Sequence, residues 1–118
     1  MADHNDLGME GERLAELHLA QKGFRILARN FRYGKAEIDL IAKDGDFLVA
    51  VEVKARKSAR RQDYFLAVGR AKINSMVRAL EFYMMCNGSS LETRFDFVRV
   101  DFGGKEPYIE HVPSFFIP

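Results

Sequence analysis

Apolar residues recur at helical spacing in two stretches of the chain and alternate or cluster at strand spacing in the others. Leu7, Leu14 and Leu17 recur between about Asp6 and Lys22, with Ala15 and His18 near the same side, which predicts a first helix stopped by Gly23. Phe24 to Phe31 reads as a strand centred on Ile26 and Leu27, and Tyr33-Gly34 as a turn. Ala36 to Lys43 and Phe47 to Lys54 are rich in β-branched and aliphatic residues and flank Asp44-Gly45, a strong hairpin signal. Lys57 to Tyr64 is polar and basic and reads as a loop. Ile73, Met76, Val77, Leu80 and Met84 form one apolar stripe, predicting a second helix from about Val68 to Cys86. Arg94 to Phe102 reads as a strand, and Tyr108 to Val112 as a short final one. The expected order is thus α-β-β-β-α-β with room for one more short strand. The strand–helix–strand unit from Phe47 to Phe102 is expected to be a right-handed parallel crossover, and the first strands to pair antiparallel. The fold class is therefore α/β, a mixed sheet flanked by helices.

The hairpin has an electrostatic consequence. If Asp44 and Gly45 are the two turn residues, Ile41 faces Leu48, Asp39 faces Ala50 and Glu37 faces Glu52. Side chains alternate between the faces of a strand. Glu37, Asp39, Ile41, Leu48, Ala50, Glu52 and Lys54 then share one face, and Ile38, Leu40, Val49, Val51 and Val53 the other. Glu37 and Glu52 lie opposite each other, where like charges destabilise a sheet, and Asp39 is diagonal to Glu52 at about 7–8 Å. Three carboxylates so placed repel unless a cation sits among them. Mg²⁺ takes oxygen ligands and is commonly held by one or two carboxylates with waters and substrate phosphate. Lys54 follows on the same face and could touch a scissile phosphate or orient a metal-bound water. The competing reading is a solvated face with surface ion pairs, and the residues alone leave both open.

Composition narrows the setting. The chain has 118 residues, 47% hydrophobic and 30% charged, as expected of one globular domain spanning 1–118. The acidic, polar N-terminal stretch is unlike a secretory signal, and no apolar run approaches a membrane span. The single cysteine, Cys86, permits no internal disulfide, which points to a reducing cytoplasm. Cys86 is expected to pack rather than to react, and Met76, Met84 and Met85 to fill the core. The histidines are scattered and are not read as metal ligands. The net charge of +1 is uninformative, but Arg56, Lys57, Arg60, Arg61, Arg70 and Lys72 cluster after the Glu52 strand. Such a stretch can hold phosphates by releasing counterions, or can simply be solvated. Tyr64 and Phe65 could stack on an unpaired base or anchor that loop.

Glu37-Ile38-Asp39-Leu40-Ile41 followed by Val51-Glu52-Val53-Lys54 resembles the Asp…Glu-x-Lys signature of restriction-endonuclease-like nucleases. More closely, the chain is similar to the UPF0102 (YraN-like) bacterial family. The shared pieces are Gly11-Glu12 with Ala15, Gly23 with Ile26-Leu27 and Asn30, the AEIDLIAKDGD and VAVEVKAR blocks, Lys72, and FDFVRVDF. Ile38 stands where the signature usually has proline, and Ala36 where many relatives have glycine. The resemblance implies a restriction-endonuclease-like fold and a Mg²⁺- or Mn²⁺-dependent endonuclease similar to archaeal Holliday-junction resolvases. It implies that Asp39 and Glu52 bind the metal, that Lys54 is the catalytic lysine and that Glu12 contributes. It also implies DNA, including branched or junction DNA, as substrate, and a homodimer as the working form. The alternatives are a nucleic-acid-binding module of the same fold without turnover, and a metal-binding or assembly protein that meets no nucleic acid.

Overall fold

The computed structural model describes residues 4–117. Helix α1 (His4–Gln21) leads into strands β1 (Arg25–Tyr33), β2 (Ala36–Asp44) and β3 (Phe47–Arg56). Helices α2 (Arg61–Leu66) and α3 (Arg70–Asn87) follow, then β4 (Glu92–Asp101) and β5 (Tyr108–Phe116). The five strands form one sheet in the order β1-β2-β3-β4-β5. Only β3 and β4 run parallel; the other neighbours are antiparallel. This is the mixed α/β sheet expected from the alternation of strand and helix patterns. Among the described residues no helix is long and apolar enough to cross a membrane.

The two faces of the sheet carry two apolar clusters, as the period of two along β3 requires. Val49, Val51 and Val53 pack with Ala15 and Leu19 of α1 and with Val98 and Val100. Leu48 and Ala50 pack on the other side with Met76, Ala79 and Leu80 of α3 and with Phe95. A third cluster joins Tyr64 and Val68 to Phe97, with Phe65 and Phe115 against it. The basic loop expected over 57–64 therefore contains a short helix, α2. Arg61, Gln62, Asp63 and Leu66 face outward, but Tyr64 is buried and its hydroxyl donates to the Arg56 carbonyl at 3.3 Å. Tyr64 and Phe65 thus anchor this segment.

Four further expectations change. The buried stripe of α1 is Gly11, Ala15 and Leu19, and Leu17 is exposed. Small residues at the contact let α1 lie close on β3, and a Cβ at Gly11 would stand 2.6 Å from the Cβ of Ala55. The β2–β3 turn is Gly45-Asp46, with Gly45 at φ +59°, so Asp44 pairs with Phe47 and Ile41 with Ala50. The final strand runs nine residues because β5 pairs along β4 as far as Phe95. Met85 and Cys86, at the end of α3, are exposed.

Gly11→Ala tests the α1–β3 contact. In an open helix interior this change stabilises by about 1 kcal/mol. Here the added methyl meets Ala55, and we expect a net loss of about 1–3 kcal/mol, read as a lower midpoint in urea denaturation. An unchanged or higher midpoint would show that α1 can move off the sheet freely.

Candidate functional site

Strand β2 pairs with β3 from the turn as far as Leu40↔Val51 and then leaves it. At that point a side chain takes over from the backbone: the Val53 N–H donates to Asp39 Oδ2 at 2.8 Å. On the neighbouring strand, at the same level, Asn30 adopts the left-handed φ of +48°. The alternation slips here, so Ile38 and Ile41 both pack on the α3 side, where a regular strand would separate them. Asp39 sits in the resulting gap and its carboxyl group meets that of Glu52, a residue only 3% exposed. Burial, then the hydrogen bond and charge of Glu52, push the Asp39 carboxyl up to about 9. The Val53 N–H pulls the other way, and the charge of Glu12 adds to the rise.

Glu12 reaches this gap from α1. Asn30 Nδ2 donates to Glu12 Oε1 at 2.9 Å and to Glu37 Oε1 at 3.2 Å. The other Glu37 oxygen pairs with Arg32 Nη2 at 3.4 Å. Glu37 therefore does not stand opposite Glu52, because the turn lies one residue later than expected and β2 has already left β3. From α3, Lys72 Nζ lies 3.3 Å from Glu52 Oε2 and donates to the Glu37 carbonyl at 3.4 Å. The Lys72–Glu52 contact lacks hydrogen-bond geometry, and Glu52 Oε2 is buried with no hydrogen bond. Lys54 follows Glu52 on the same strand, beside Arg99 of β4, and makes no ion pair or hydrogen bond among the described residues.

A second buried carboxylate shows what is unusual about the first. Asp96, 1% exposed, sits beside an irregularity where β5 shifts register on β4. It too accepts a backbone N–H, from Ser114 at 3.0 Å. Both guanidinium edge nitrogens of Arg94 donate to it at 2.9 Å, and His111 Nε2 lies 2.8 Å away. Burial raises the Asp96 carboxyl, but the bonds from His111, Arg94 and Ser114 outweigh it and leave it lowered. Asp39 has two carboxylates where Asp96 has a cation and a histidine. No motif in the sequence marks the Asp96 cluster; the one signal is an acid between Phe95 and Phe97 in an apolar strand, which demands buried partners.

The basic residues divide. Arg56, Lys57, Arg60 and Arg70 are exposed. Arg60 Nε is 3.6 Å from Asp63. Arg61 is committed to Glu110, with Nη2 donating at 2.7 Å, and its guanidinium lies over Phe65. Arg99 Nε also donates to Glu110 at 2.9 Å. The Arg61 bond, against some burial and helped by Arg99, holds the Glu110 carboxyl down at about 2. Lys72 belongs to the carboxylate gap and not to the open basic surface.

The donors suit a hard divalent ion. They are carboxylate oxygens, one of them buried without a hydrogen bond, and among the described residues no cationic side chain forms an ion pair with Asp39. Among the described residues no three Asp, Glu, His or Cys side chains form a ready-made cage. Mg²⁺ and Mn²⁺ need no such cage, since they keep waters and complete their shell with substrate phosphate.

The model of uncharacterised protein family UPF0102 matches residues 11–100. A UPF0102 protein of Flavobacterium psychrophilum is 44% identical over 119 residues, covering 98% of each chain. One of Anaeromyxobacter dehalogenans is 43% identical, covering 93% of this chain and 83% of its own. One of Christiangramia forsetii is 39% identical over 98% of each. The matched span runs from Gly11, before Glu12, through β4, and so includes Asp39, Glu52, Lys54 and Lys72.

Without a divalent ion, the raised Asp39 carboxyl has a measurable effect on folding. The native state keeps a proton that the unfolded chain has released above about pH 4, so stability falls as pH rises towards about 9. In EDTA, the melting temperature of the wild type should drop relative to Asp39→Asn between pH 5 and 9. Parallel profiles for the two proteins would mean that Asp39 is an ordinary carboxylate.

Proposed function

We propose that this chain, which belongs to uncharacterised protein family UPF0102, is a divalent-metal-dependent endonuclease that hydrolyses phosphodiester bonds in DNA. The observation that carries this reading is the pair of carboxyl groups, Asp39 and Glu52, pressed together in a gap of the sheet with Glu12 beside them. Like charges in a low-dielectric site are costly unless a cation or proton intervenes.

Asp39 and Glu52 would hold Mg²⁺ or Mn²⁺, with Glu12 placed to bind through a water. When bound, such an ion lowers the pKa of its water and stabilises charge on phosphoryl oxygens. The chain's own groups supply the rest. The Val53 N–H fixes the rotamer of Asp39, and Asn30 fixes Glu12. Lys54 has no ion pair or hydrogen bond among the described residues and serves as the ammonium that meets the scissile phosphate. Arg56, Lys57 and Arg60 lie just beyond the end of β3 and are open to flanking phosphates. Glu37, tied to Asn30 and Arg32, supports the arrangement from behind. This division of roles matches the Asp…Glu-x-Lys nucleases that the sequence resembles. Branched DNA is the substrate class we favour, and paired cuts across a junction would require a symmetric dimer.

Labelled four-way junctions, flaps and single strands, incubated with Mg²⁺ or Mn²⁺, test the activity. We expect cleavage by the wild type and a loss of at least a hundredfold in Asp39→Ala and Glu52→Gln, with DNA binding retained. A pure protein that binds these DNAs but cuts none of them with either ion would make it a binding module.

The double substitution Lys57→Glu with Arg60→Glu tests the proposed phosphate contacts. Binding should weaken across all sequences, and the slope of log affinity against log salt should become shallower by about 2. An unchanged slope would remove this surface from the interface.

A further inference from the structure

We infer that Lys72 is a built-in counter-cation of the site, standing on the Glu52 oxygen that an incoming divalent ion would use. This rests on the proposed metal site and assigns a part to a residue on a different element from Asp39, Glu52 and Lys54.

Three features of the gap support it. Glu52 is almost fully buried, and Lys72 is the one cationic side chain paired with it among the described residues. The ammonium sits 3.3 Å from Oε2 outside hydrogen-bond geometry, so that oxygen is electrostatically satisfied but keeps its lone pairs free. The ammonium's hydrogen bond goes instead to the Glu37 carbonyl, on the strand that has peeled away from β3. Lys72 therefore bridges the two lips of the gap from the first turn of α3. Its side chain is about one third exposed, so it has an open route by which to leave.

Charge alone then sets a competition. An ammonium at this distance favours the Glu52 carboxylate and opposes any second cation on the same oxygen. For Oε2 to become available, Lys72 must swing off it, and the freed ammonium remains beside the gap. Lys72 is thus a positioning residue that acts through Glu52. It holds the carboxylate in place while no ion is present and sets a threshold for binding one. A purely structural tether would leave ion affinity unchanged or weaken it.

Mn²⁺ binding, followed by electron paramagnetic resonance at pH 7.5 without nucleic acid, decides the matter. Lys72→Met should bind Mn²⁺ about tenfold more tightly than the wild type, since it removes one competing charge. Lys72→Arg, which keeps the charge, should stay within about twofold of the wild type. Asp39→Asn should lose binding in either background. Circular dichroism identifies any variant that fails to fold, and Lys72→Gln then replaces Lys72→Met with the same expected direction. Equal or weaker Mn²⁺ binding in the neutral variants overturns the role of Lys72 and leaves the metal site standing. Binding by Lys72→Met but not by the wild type supports it in its strongest form. Absence of binding in every protein overturns both the metal site and the counter-cation.

Discussion

A carboxyl group standing in for a missing backbone partner governs the centre of this sheet. Where β2 leaves β3, the Val53 N–H would be unsatisfied in an apolar interior, and Asp39 accepts it. Where β5 shifts on β4, Asp96 does the same for Ser114. Each substitution closes the hydrogen-bond ladder but brings a potential negative charge into a place that resists it. The fold answers the two cases differently. Asp96 is surrounded by Arg94 and His111 and becomes a permanent structural anion. Asp39 is surrounded by Glu52 and Glu12 and is left with a demand that the protein meets only in part.

The other elements follow from where that demand lies. Gly11 and Ala15 let α1 approach β3, and the approach carries Glu12 to the edge of the gap. The left-handed Asn30 on β1 turns its amide to hold Glu12 and Glu37 together. The third cluster, around Tyr64 and Phe97, seats α2 and leads the chain into α3, which delivers Lys72 to Glu52. Apolar packing of modest precision thus places six polar groups with some exactness around one opening.

Much of this was legible in the residues, and the parts that were not have physical reasons. Val49, Val51 and Val53 alternating with Leu48, Ala50 and Glu52 announce a strand with two buried faces, and the chain folds that way. The pairing of Asp39 with Glu52 could be anticipated because a one-place shift of the turn moves both partners and preserves their faces. The position of Glu37 could not, since it depends on a break in pairing that no local pattern marks. In α1 the leucines outweighed Gly11 and Ala15 as a periodic signal, yet a close helix–sheet contact selects the smallest side chains. Lys72 looked like one more member of a basic surface because its charge says nothing of its direction. Helix α2 was hidden by polar neighbours whose only apolar purpose is to bury Tyr64 and Phe65.

The opening is assembled from α1, β1, β2, β3 and α3, so its groups are gathered from Glu12 to Lys72 along the chain. No shorter stretch emerging from a ribosome contains it, and an isolated β2–β3 hairpin would carry the two acids without the helices that frame them. A chain of this design completes the arrangement only once α3 has been made and has brought Lys72 to Glu52. Detachment of α3 would take Lys72 away and leave the two acids in place on β2 and β3.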